Sequence, residues 1–115
     1  MAALTITAMP VGGLSNATGF VAAAAGGDTI DGGTVLSGGV VLKVKNTNAA
    51  TRDVTLADPR TTDLGYANPD TTVTVAATTG DVDIPVHPQY IDPATGLVNI
   101  TYSAVTSLTV KVVRR

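Results

Sequence analysis

The sequence predicts an all-β chain: a small antiparallel β-sandwich, of jelly-roll or immunoglobulin-like type, with an extended N-terminal arm. Three observations carry this. Apolar residues recur at two-residue spacing, as in Val40-Leu42-Val44, Val82-Ile84-Val86, Val98-Ile100-Tyr102 and Leu108-Val110-Val112, which puts one set of side chains on a single face of a strand. These runs are short and bounded by Gly, Pro, Asn and Asp, the punctuation of sandwiches and barrels. Finally, Thr and Val dominate while Glu is absent; the first two favour strands, and Asp favours turns and caps where Glu favours helices.

The 115 residues suit one compact domain. We divide them into an arm over 1–19 and a sandwich over 20–115. Only 14% of residues are charged, with a net charge of −2, so no basic face is expected for nucleic acid. Aromatics make up 3%, too few for stacking platforms. With no cysteine there is neither a disulfide staple nor thiol chemistry. The opening MAALTITAMPVGG lacks a basic region and a sustained apolar run, and is not read as a signal peptide. No stretch approaches the roughly 20 apolar residues of a membrane-spanning helix, so neither a membrane nor a nucleic-acid partner is expected.

In chain order, Met1–Gly19 is Gly-rich and polar, with Leu4 and Ile6 able to form a short strand, and reads as an arm that lies along a neighbour or a frayed end. Phe20–Ala25 is an irregular or extended segment tucked under the sheet, and Gly26–Gly33 a flexible connection. Thr34–Leu36 is expected to pair briefly as a strand. The clearest local feature is Gly39–Leu56: Val40–Lys45 and Val54–Leu56 read as two arms of a hairpin joined by the polar connector Asn46–Thr51. Pro59 closes the second arm. Asp58–Asp70 is a long loop, and long loops in small domains are often functional.

Thr71–Ala76 and Asp81–Val86 alternate again. Pro85 lacks an amide donor and assigns the latter to a sheet edge. His87–Gly96 is a second loop, with Asp92-Pro93-x-x-Gly96 as turn chemistry. Leu97–Tyr102 and Leu108–Val113 complete the core, separated by a reversal over Ser103–Thr106.

The candidate chemistry is sparse. Asp28 with Asp31, and Asp81 with Asp83, are the best carboxylate pairs for a hard cation, but a calcium ion takes about 6–8 oxygens and turn carboxylates in solvent are the plainer reading. His87 is the only imidazole. No local motif joins it to Ser15, Ser37, Ser103 or Ser107 as a nucleophile–base pair. The glycine pairs match no phosphate-binding loop, and Arg114-Arg115 is too small for a nucleic-acid patch. We therefore expect no enzyme activity, no catalytic, cofactor-binding or metal-binding residues, and no cofactor.

Three segments carry a resemblance: Gly26-Gly27-Asp28-Thr29-Ile30, Val41-Leu42-Lys43-Val44-Lys45-Asn46 and, most distinctively, Val98 to Val110. Together they resemble small head decoration or minor capsid proteins of actinobacterial tailed phages. The resemblance implies a β-sandwich on the outer capsid surface of a virion, bound to the major capsid protein, stabilising the shell by bridging capsomers. It also implies a homo-oligomer, with a trimer at three-fold positions as one arrangement. The alternative is a phage tail-associated or receptor- or glycan-binding β-sandwich module; a small hydrolase comes third, because it needs a partner for His87.

Overall fold

The computed structural model describes residues 2–9, 12, 19–36, 39–61 and 63–114. The strands are β1 (Ala2–Ala3), β2 (Ile6–Ala8), β3 (Val21–Ala22), β4 (Asp28–Asp31), β5 (Val40–Asn46), β6 (Arg52–Leu56), β7 (Thr71–Val75), β8 (Gly80–Pro85), β9 (Leu97–Tyr102) and β10 (Leu108–Arg114). A single helical turn, α1, covers Gly32–Leu36, and a 3-10 turn covers Pro88–Tyr90.

The strands form two sheets. The first has the order β1-β4-β9-β6-β7; the second has β2-β10-β5-β8, with β3 also on β10. From β3 onward every neighbouring pair is antiparallel. Every connection in that stretch crosses from one sheet to the other, except the β6–β7 hairpin. Strands β3-β10-β5-β8 thus face β4-β9-β6-β7, which is the winding of a jelly roll.

Alternation decides what fills the space between the sheets. In β5 the burial pattern is strict: Val40, Leu42, Val44 and Asn46 point in, and Val41, Lys43 and Lys45 point out. Ile30, Val54, Leu56, Val98 and Ile100 of the first sheet meet Leu42, Val44, Leu108, Val110 and Val112 of the second in one apolar cluster. The expected inward faces of β8, β9 and β10 are the observed ones, and β8 with Pro85 lies at the edge of its sheet.

Three local expectations are corrected. Gly39–Leu56 is not a hairpin. Strand β5 pairs with β10 and β8, whereas β6 pairs with β7 and β9. The connector is an arch between sheets, which stack about 10 Å apart. Both arms still bury the same residues, because each turns its apolar face to the shared core. Second, Thr34–Leu36 is helical rather than extended, with Val35 buried. Third, Gly26–Gly33 contains β4, a strand whose Asp28, Thr29 and Ile30 are all buried.

The first strands are part of the sandwich. Strand β1 pairs in parallel with β4, and β2 in parallel with β10. The chain crosses from one sheet to the other between them; Leu4 N–H donates to Thr29 O at 2.9 Å just after β1, and Met9 N–H donates to Arg114 O at 2.8 Å just after β2. Leu4 and Ile6 pack on the core cluster. Residues 10, 11 and 13–18 of the segment read as an arm lie outside the described residues.

Candidate functional site

The long loop between β6 and β7 is built as a finger. Pro59 stops the β6 ladder because it has no amide to donate. The base closes where Asp58 N–H donates to Asp70 Oδ1 at 2.8 Å. Arg60 folds back so that its backbone N–H and its Nε both donate to Asp58 Oδ1, at 3.0 and 3.3 Å. The Arg60 guanidinium hydrogen-bonded to Asp58 holds that carboxyl below its ordinary range. Further out, Asn68 N–H donates to Arg60 O at 3.0 Å, and Thr61 forms a bridge with Ala67. Gly65 turns the tip in the left-handed region at φ +86°. Leu64 and Tyr66 flank it and are 84% and 71% exposed, the two most exposed large apolar side chains among the described residues.

The outer face of the second sheet forms a separate charged surface. Register aligns Lys111 with Lys43 and Asp83, and Thr109 with Lys45 and Asp81. All three lysines of the chain therefore share this face. Lys43 Nζ pairs with Asp83 Oδ2 at 3.1 Å. Phe20 lies between the other two, its ring centroid 4.5 Å from Lys45 Nζ and 5.6 Å from Lys111 Nζ. Cation–π attraction and the aliphatic stems explain how Lys111 is buried on an outer face.

The carboxylate pairs separate. Asp81 and Asp83 share the outer face of β8, as alternation requires, but their neighbours across the ladder are Lys45 and Lys43. Asp28 points inward and Asp31 outward. Asp28 is buried beneath the β3–β4 connection, where Oδ2 accepts from Tyr102 Oη at 2.6 Å and from Ala24 N–H at 3.3 Å. Asp31 is exposed and accepts from Thr34 Oγ1 at 3.1 Å, inside α1. Among the described residues no three His, Asp or Glu side chains converge as metal ligands.

His87 is exposed and precedes the 3-10 turn, its ring 6.2 Å from that of Tyr90. Neither Ser103 nor Ser107 hydrogen-bonds to it; Ser103 Oγ instead accepts from Asp53 N–H at 2.9 Å. Ser15, Ser37 and Arg115 lie outside the described residues. A cleft of ≈ 410 Å³ opens where β2 and β3 meet β10, with Leu4, Val110, Asp28 and Lys111 in its wall. Asp28 is turned towards Tyr102 there.

Sequence reasoning singled out the Asp58–Asp70 loop but not its tip. The signal was available: Leu64-Gly65-Tyr66 sets two large apolar residues around a glycine in an otherwise polar loop. Phe20 and its two lysines were not foreseeable, since they come from three strands or strand ends that only the register brings together. Comparison of the chain with protein-family models, with curated proteins and with solved structures found no match.

Proposed function

We propose that this chain is a non-enzymatic decoration protein that binds the outer surface of a phage head and stabilises the shell by bridging neighbouring capsomers. The observation that carries the reading is the finger. A closed, hydrogen-bonded loop holds Leu64 and Tyr66 out in solvent at its tip. Single exposed apolar residues are ordinary on protein surfaces. Two side by side on a loop braced by its own ion pair suit burial in a partner surface, where aromatic residues are enriched.

The jelly-roll body supports the same reading. Its two sheets share one core, and the finger's base, closed between Asp58 and Asp70, follows directly on the paired ends of β6 and β7 at Leu56 and Thr71. A load on the tip passes into the sheet rather than into a flexible linker. Repeated copies bound in this way would oppose the outward pressure of packaged DNA. The resemblance of Gly26–Ile30, Val41–Asn46 and Val98–Val110 to phage head decoration proteins points in the same direction.

Electron cryomicroscopy of the purified particle tests the proposal. The expected result is density for the sandwich at regular positions on the head, with the Leu64–Tyr66 tip against the shell. Density at the tail would instead favour the receptor- or glycan-binding module. Absence of the chain from the virion would reject both.

A further inference from the structure

A sandwich with two open sheets has four lateral edges, and three of them are protected. Strand β1 covers part of β4 and is itself an edge of only two residues, too short to template another chain. Strands β2 and β3 divide the edge of β10 between them. Strand β8 carries Asp81, Asp83 and Pro85, and charge and proline are two devices that keep edge strands from pairing with other chains. The fourth edge, β7, reads Thr71-Thr72-Val73-Thr74-Val75. It holds no charge and no proline, and among the described residues its only ladder partner is β6. Half of its amides and carbonyls point away from that partner.

We propose that β7 is an assembly edge on which a second copy of this chain docks, β7 against β7 across a two-fold axis, joining the two first sheets into one. The inference does not rest on the capsid reading. The choice of a second copy comes from self-complementarity. An antiparallel pairing centred on Val73 sets Val73 opposite itself, Thr72 opposite the other copy's Thr74, and Thr71 opposite its Val75. Thr–Thr and β-branched pairs of this kind are favourable neighbours across a ladder. The same operation on β8, centred on Val82, would set Asp81 opposite Asp83, and like charges in that position are unfavourable.

The outer face of the sheet is prepared for the same seam. Thr55 Oγ1 and Thr72 Oγ1 are hydrogen-bonded at 3.1 Å, and Thr74 Oγ1 donates to Asp53 Oδ1 at 2.9 Å. A partner β7 would continue this row of hydroxyls from one copy into the next. Where the resemblance implies a trimer, this edge implies a dimer.

Sedimentation equilibrium of the full-length chain over a wide concentration range reads the assembly. The expected result is reversible association to twice the mass of one chain. The double variant T72K/T74K puts lysine opposite lysine twice across the seam and should sediment at one chain mass, with an unchanged far-ultraviolet spectrum. Cysteine pairing keeps the proposal testable should that variant misfold. An oxidised mixture of T72C and T74C should give a disulfide between the two different variants, and far less between identical ones. A chain that stays monomeric, a trimer, a dimer that survives T72K/T74K in folded form, or a cross-link indifferent to mixing would each overturn the proposal.

Discussion

The Tyr102 hydroxyl donates to Asp28 Oδ2 at 2.6 Å, joining β9 to β4 on the core side of the first sheet. Asp28 is 1% exposed, and its Oδ1 has no hydrogen-bond partner among the described residues. The phenol is therefore one of few groups satisfying a buried carboxylate. Tyr102→Phe should cost about 1–3 kcal/mol, the scale of a buried polar group losing its partner. Urea denaturation would show it as a lower midpoint at unchanged slope.

The same contact sets an alkaline limit. Burial first, then the hydrogen bond to Asp28 and its charge, push the Tyr102 phenol well above its ordinary value of 10.0. The folded state thus keeps a proton that the unfolded state gives up. This contribution is fully present below pH 10 and declines above it, by at most about 1.4 kcal/mol per pH unit. Stability of the wild type should fall more steeply above pH 10 than that of Tyr102→Phe. Parallel curves for the two proteins would remove Tyr102 from the explanation.

Asn46 is the keystone of the arch between β5 and β6. It is fully buried; its Nδ2 donates to Ala50 O at 2.9 Å and Ala76 O at 3.1 Å, and its Oδ1 accepts from Asn48 N–H at 3.0 Å. Asn46→Ala strands two carbonyls and an amide, so a loss of about 3 kcal/mol is expected, at the upper end for buried polar groups. A thermal midpoint within a degree of wild type would contradict the role assigned to it.

Two glycines of the chain should respond in opposite senses. At Gly80 an added Cβ would run into the Ala76 carbonyl oxygen and come within 2.6 Å of Val75 Cγ1. Gly80→Ala therefore forces the β7–β8 connection apart and should destabilise by about 2 kcal/mol or more, as overpacking does. Gly33 lies in α1, exposed, with Asp31 Oδ2 at 3.5 Å as the nearest atom to a new Cβ. Gly33→Ala should be neutral or gain up to about 1 kcal/mol from helix propensity. Calorimetry of the two variants side by side would check both signs.

Deleting residues 1–9 should weaken the fold rather than merely trim it. The deletion removes β1 and β2, uncovers the edges of β4 and β10, and withdraws Leu4 and Ile6 from the core. We expect a loss of about 2 kcal/mol from apolar burial alone, or roughly 10 °C in melting temperature for a domain of this size. Hydrogen exchange should report the loss first at the β4 and β10 amides. Unaltered protection there would refute the assignment of these strands to the sandwich.

The finger can be tested without touching the fold. Leu64→Ser removes apolar area only from a solvent-facing side chain, so stability should change by less than about 0.5 kcal/mol. On the decoration function proposed above, occupancy on purified heads should nevertheless drop at least tenfold. Full occupancy would move the docking contact elsewhere on the molecule.

Most strands were legible because alternation is a local property. Val40, Leu42 and Val44, or Leu108, Val110 and Val112, announce a buried face wherever the strand is placed. The partner of each strand was not legible, because Val54 and Leu56 satisfy the core equally well from the neighbouring strand or from the facing sheet. The connector Asn46–Thr51 looked like a hairpin loop for the same reason. Strand β4 was hidden by Asp28, whose burial depends on a tyrosine 74 residues away. A short strand through Ile6 was foreseen, but β1 and the partners of both N-terminal strands were hidden by brevity, since two or three residues carry no period.

By itself the sequence determined the class of this protein: an all-β sandwich, the inward face of each long strand, the edge position of Pro85 and the long loop over Asp58–Asp70. Those follow from side-chain alternation and turn chemistry, which act over a few residues. The tertiary structure alone decided the jelly-roll winding, the N-terminal strands laid along both sheets, the burial of Asp28 against Tyr102, the sharing of Phe20 by two lysines, and the place of β7 at the end of its sheet. Each of these depends on which strands become neighbours, and that choice is made by the packing of two whole sheets around one core.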